Sequence, residues 1–122
     1  MEDDTLLERT NRVNTLFDFY GALLTDKQQS ILSLYYQDNF SLGEIAADFE
    51  VSRQAVYEHL KRAEQALEDY EGKLRLAEQF ARKSQAASEL EALIKRRQGE
   101  DSRRMLELLS RLLTIEVKED TP

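Results

Sequence analysis

Two serines eleven positions apart, Ser41 and Ser52, each open an apolar stripe, and two helix starts that close demand two short helices joined by a tight turn. Ser41 with Glu44 has the spacing of a capping box, in which each residue's side chain takes the other's backbone amide. A helix therefore begins at Leu42, with Leu42, Ile45, Ala46 and Phe49 on its inward face. Ser52 is a second N-cap, before Arg53, and Val56, Leu60 and Ala63 form the next stripe. The small Ala46 permits a close crossing that Val51 and Val56 plug, which is what a helix-turn-helix requires. The turn position most often held by glycine is Glu50 here, so a left-handed conformation there costs about 1–2 kcal/mol.

In such a motif the first residues of the second helix that do not face the core project outward. These are Arg53, Gln54, Tyr57 and Glu58, with Lys61 and Arg62 placed to sit on phosphates. Arg suits guanine, Gln adenine, and Glu can accept from cytosine, so the set could read duplex DNA. The same surface could instead be a retained scaffold or protein contact, because a fold does not fix what its outer face does.

The rest of the chain reads as all-α. Four glycines and one proline in 122 residues leave little turn chemistry for a sheet. From Thr5 to about Tyr20, Leu6, Val13, Leu16, Phe17 and Tyr20 mark an amphipathic helix, with Asp3 and Asp4 at its positive end and Gly21 as its stop. Thr25 with Gln28 repeats the capping-box spacing before Ile31, Leu32, Tyr35 and Tyr36. The expected core is Val13, Phe17, Leu24, Ile31, Leu34, Tyr35, Leu42, Ile45, Phe49, Val51, Val56 and Leu60. No helix among the first sixty residues is long enough to stand alone in water, so they must pack on one another.

The run LTDKQQSILSLYYQDNFSLGEIAADFEVSRQAVYEHLKRAEQAL resembles the promoter-reading C-terminal domain of bacterial sigma factors. Preceded by Leu16 to Tyr20 and followed by LEDYEGKL, it resembles more closely the YlxM family of small bacterial helix-turn-helix proteins. The likeness spans roughly residues 6–80, with the remainder a charged helical tail. It implies a cytoplasmic helix-turn-helix protein with a regulatory role, linked to the signal recognition particle pathway by the neighbourhood of its genes. Ser41, Glu44, Ile45, Ala46, Val51, Ser52, Arg53, Gln54, Ala55 and Val56 match the shared motif, and Glu50 in place of glycine is the main departure.

Past Ala63 the stripe continues through Leu67, Tyr70, Leu74 and Ala77, then Phe80, Ala87, Leu90 and Ile94, with Gly72 the lone interruption. An unbroken helix from Arg53 to about Gln98 would be roughly 65–70 Å long. Gly99 ends it, Asp101 or Ser102 caps a final helix, and Met105, Leu108, Leu109, Leu112, Leu113 and Ile115 give that helix a dense apolar face. The expected organisation is a helix-turn-helix domain over 1–70 and a helical hairpin tail over 71–122. The tail's stripe is wider than one partner helix needs, so it predicts a homodimer.

Charge argues against a simple DNA-binding account. The net charge is −7, and up to Tyr70 six cations face fourteen carboxylates, whereas duplex binding draws on a basic surface. The tail is the basic half: Lys95, Arg96, Arg97, Arg103 and Arg104 cluster near its bend, where they could grip RNA phosphates or an acidic protein of the targeting particle. Cysteine is absent and His59 is the only histidine, so neither a thiolate nor a multi-histidine metal site is available. No phosphate-binding loop or nucleophile with its base is present, which argues against an enzyme and against a bound cofactor. The acidic N-terminus leads into no long apolar run, so neither a signal peptide nor membrane insertion is expected.

Overall fold

The computed structural model describes the backbone of residues 2–118 and the side chains of residues 5–114. The expectations for Asp3, Asp4 and Ile115 therefore lie outside the described side chains. Six α-helices follow in order among the described residues: α1 (Glu2–Tyr20), α2 (Asp26–Leu32), α3 (Leu42–Phe49), α4 (Arg53–Leu74), α5 (Leu76–Lys95) and α6 (Glu100–Lys118). A short 3₁₀ turn (Gly21–Leu23) follows α1, and a π segment (Ser33–Gln37) follows α2. No strand occurs among the described residues. The chain divides into two compact units, Met1–Ala77 and Glu78–Pro122.

Both capping boxes form. Thr25 Oγ1 accepts the Gln28 amide at 3.1 Å while Gln28 Oε1 accepts the Thr25 amide at 3.1 Å. Ser41 and Glu44 exchange the same pair of bonds at 3.1 and 2.9 Å. Gly21 ends α1 for another reason than a left-handed turn: its φ is not positive, and a Cβ there would lie 3.2 Å from the Phe17 ring. The glycine lets that ring close over the chain.

The core of the first unit runs from Val13, Leu16 and Tyr20 through Leu24, Ile31, Leu32 and Tyr36 to Ile45, Ala46, Val56, Leu60, Ala63 and Leu67. Six of the twelve expected core residues are buried: Val13, Leu24, Ile31, Ile45, Val56 and Leu60. Phe17, Leu34, Tyr35, Leu42, Phe49 and Val51 pack at its rim instead. Of the stripe's two tyrosines it is Tyr36, one turn beyond the buried Leu32, that is buried, while Tyr35 packs at the rim. The turn that carries them is a π segment, Ser33–Gln37. The amide of Asp38 donating to the carbonyl of Ser33 at 3.0 Å is the bond that marks it.

The single long helix does not form. Gly72, with open space around it, lies inside α4, and the break falls at Arg75, which adopts φ 54°. In the second unit α5 and α6 are joined by residues 96–99, where Gly99 takes φ 121°. Helix α6 starts at Glu100, one residue before the earlier of the two expected caps, and the Arg103 amide donates to the Gly99 carbonyl. Leu90, Leu93, Met105, Leu108, Leu112 and Leu113 are exposed, while Ile94 is buried.

Candidate nucleic-acid interface

Helix α3, the turn and the start of α4 form the motif. Glu50 is left-handed, at φ 56° and ψ 45°. The Val51 amide donates to the carbonyl of Ala46 at 3.0 Å and the Glu50 amide to that of Ala47 at 3.4 Å, so the last carbonyls of α3 are closed by a Schellman motif. Ser52 Oγ then accepts the Ala55 amide at 3.0 Å and starts α4. Ala46 and Val56, both buried, form the crossing.

This turn fixes which residues of α4 face out. Arg53, Gln54, Glu58 and Arg62 are exposed, Tyr57 is 44 % exposed and Lys61 is half-buried. The Arg53 stem passes Gly43 at the start of α3: a Cβ at Gly43 would meet Arg53 Cδ and Nε at 3.9 Å. Gln54 Nε2 donates to Glu58 Oε1 at 3.4 Å, one turn along the same face. Lys61 Nζ stands 5.4 Å from the Tyr57 ring centroid, within cation–π range. The Tyr57 ring also lines a shallow groove with Leu6, Tyr35 and Leu42.

Electrostatics behind this face were not visible as residue counts. Glu64, on α4, accepts from Tyr36 Oη at 2.7 Å and from Arg9 Nη2 at 2.8 Å, and lies 3.9 Å from Lys61 Nζ. Glu68 takes Arg12 in a two-pronged pair at 2.9 and 3.1 Å. Burial, and then the bond to Glu64, push the Tyr36 phenol well above the usual tyrosine range. Three of the six cations of residues 1–70 are thus engaged with carboxylates on α4. The signal that could have found this is the match between Arg9 and Arg12 on one helix and Glu64 and Glu68 on another. It becomes readable only once α1 is known to lie against α4.

In the second unit Arg96, Arg97 and Arg103 are exposed. Lys95 and Arg104 carry local pairs, to Glu91 at 2.9 Å and to Glu107 at 3.3 Å, of the exposed kind worth about 0–1 kcal/mol. No cluster of three His, Cys, Asp or Glu suited to a metal occurs among the described residues. No described helix is long and apolar enough to cross a membrane.

These features define an all-α helix-turn-helix protein whose second helix starts on a serine cap and presents a polar outer face. The chain belongs to the UPF0122 family, described as "Putative helix-turn-helix protein, YlxM / p13 like", which matches residues 7–108. It is 48 % identical over 111 residues to a UPF0122 protein of Geobacillus sp. (strain WCH70), covering 91 % of this chain and all of that one. It is 51 % identical over 108 residues to one from Halalkalibacterium halodurans, covering 88 % of this chain and 99 % of that protein. A UPF0122 protein of Bacillus thuringiensis is 48 % identical over 109 residues, with 88 % and 99 % covered.

Proposed function

We propose that this chain is a DNA-binding regulatory protein of the cytoplasm, not an enzyme, in which the start of α4 reads duplex DNA and the tail holds two copies together. Residues 1–70 carry the reading and 71–122 the dimerisation. The observation that carries the proposal is the exposure of Arg53, Gln54, Tyr57 and Glu58 on one outer face, braced from behind by α3. Arg53 and Gln54 would meet base edges, and Arg62 and Lys61 the phosphates. The exposed Leu108, Leu112 and Leu113 support a second copy as tail partner.

A second reading has its own support. With Arg9, Arg12 and Lys61 turned to carboxylates, only Lys27, Arg53 and Arg62 of the cations in residues 1–70 remain to displace counterions from DNA. The exposed Arg96, Arg97 and Arg103, with Lys95 and Arg104, favour an adaptor that grips the RNA or an acidic protein of the signal recognition particle. One titration series separates the two. Arg53→Ala should weaken duplex DNA binding about 5- to 150-fold for one base-pair identity. Neutralising Arg96, Arg97, Arg103 and Arg104 together should leave that binding in place. The reverse pattern, with a salt-sensitive loss of RNA or protein binding, supports the adaptor and overturns the DNA reading.

A further inference from the structure

The break between α4 and α5 is made by a residue that local chemistry does not favour there. Arg75 is left-handed, at φ 54° and ψ 32°, a region that glycine enters freely and that arginine enters at a cost. The surrounding KLRLAEQ contains no proline and no β-branched residue, so its own preference is to continue the helix. What offsets this lies 55 residues upstream. Tyr20, fully buried and stacked on Tyr70 with ring centroids 5.9 Å apart, donates its hydroxyl proton to Glu71 Oε1 at 2.5 Å. Its oxygen accepts the amide of Leu76 at 3.0 Å, and Glu71 Oε1 accepts that of Ala77 at 3.1 Å. These are two of the amides that a break at Arg75 deprives of their partners four residues back.

We propose that the Arg75 break is a two-state joint, held open by the Tyr20–Glu71 pair, and that parting this pair lets α4 run on through Arg75 into α5. In the continuous state the Leu76 and Ala77 amides turn to the carbonyls of Gly72 and Lys73, as in any α-helix. Both states therefore satisfy the same donors, and the choice between them rests on one phenol and one carboxylate. A ligand that prefers either state would draw the population toward it. The inference holds whether or not the outer face of α4 meets DNA.

The test is backbone NMR on the full chain, reading the Arg75 φ from its amide–Hα coupling and Cα shift, and hydrogen exchange at Leu76 and Ala77. In Tyr20→Phe the φ should move from positive to helical values while both amides stay protected. Arg75→Gly in the same background should restore the positive φ, because it lifts a left-handed penalty equivalent to roughly 5- to 30-fold in population. A φ that stays positive in Tyr20→Phe, with exchange at Leu76 and Ala77 rising tenfold or more, would overturn the proposal. Should that variant not fold, Glu71→Leu is read by the same two criteria.

Discussion

Replacing Glu50 by glycine tests the turn at the centre of the motif. The residue sits at φ 56° and ψ 45°, where a side chain with a Cβ costs about 1–2 kcal/mol. Glycine removes that cost but gives the unfolded chain more freedom, which takes back about 0.4–1 kcal/mol. The Schellman bonds from Glu50 and Val51 are made by backbone and survive the change. The expected net gain is about 0.5–1 kcal/mol, or roughly 2–8 °C in Tm for a unit of this size. All five tyrosines, Tyr20, Tyr35, Tyr36, Tyr57 and Tyr70, lie in the first unit and tryptophan is absent. Near-ultraviolet circular dichroism read in the tyrosine band, at longer wavelength than the signal of Phe80 in the second unit, therefore follows the unfolding of the first unit. Glu50→Ala, which keeps the Cβ, should stay within about 0.5 kcal/mol of the parent. A glycine variant that melts no higher than the parent would refute the assignment of strain to this position.

Three further outcomes follow from the caps and the buried phenols. Ser41→Ala should cost about 1 kcal/mol by opening the α3 capping box, measured by urea unfolding, since the serine oxygen and the Glu44 carboxylate serve reciprocal amides. The Ser41 amide and then its hydroxyl hold the Glu44 carboxyl below its ordinary 4.5. Its contribution is thus present above pH 4.5 and fades as pH falls through the lower folded value, and Glu44→Gln should flatten that acid limb. Tyr36 behaves oppositely: burial and Glu64 raise its phenol above 10.0, so its contribution is complete below pH 10 and is lost as pH climbs. Tyr36→Phe should be less stable at neutral pH and show a shallower alkaline decline.

What could be read from the chain was whatever is encoded by near neighbours. Thr25 with Gln28, Ser41 with Glu44, and Ser52 each mark a helix start within four residues, and all three starts fall where their spacing puts them. The outward face of α4 follows from the same local rule. Features set by distant partners were not legible. The Leu76 amide just past the break at Arg75 finds its acceptor on Tyr20, and Arg9 and Arg12 find theirs on Glu64 and Glu68, each more than fifty residues away. The π segment belongs between these cases. It is local, but no residue in SLYYQ announces it, and a stripe that held both Tyr35 and Tyr36 did not say which of the two would be buried.

The first turn of α4 is read most directly by selection from a pool of random duplexes, run in parallel with the parent chain and with Arg53→Ala. The parent should enrich a defined short sequence, and the variant should keep it except for relaxed choice at one base pair. Recovery of an unenriched pool by the parent, or of the same fully specified sequence by the variant, would contradict the DNA reading.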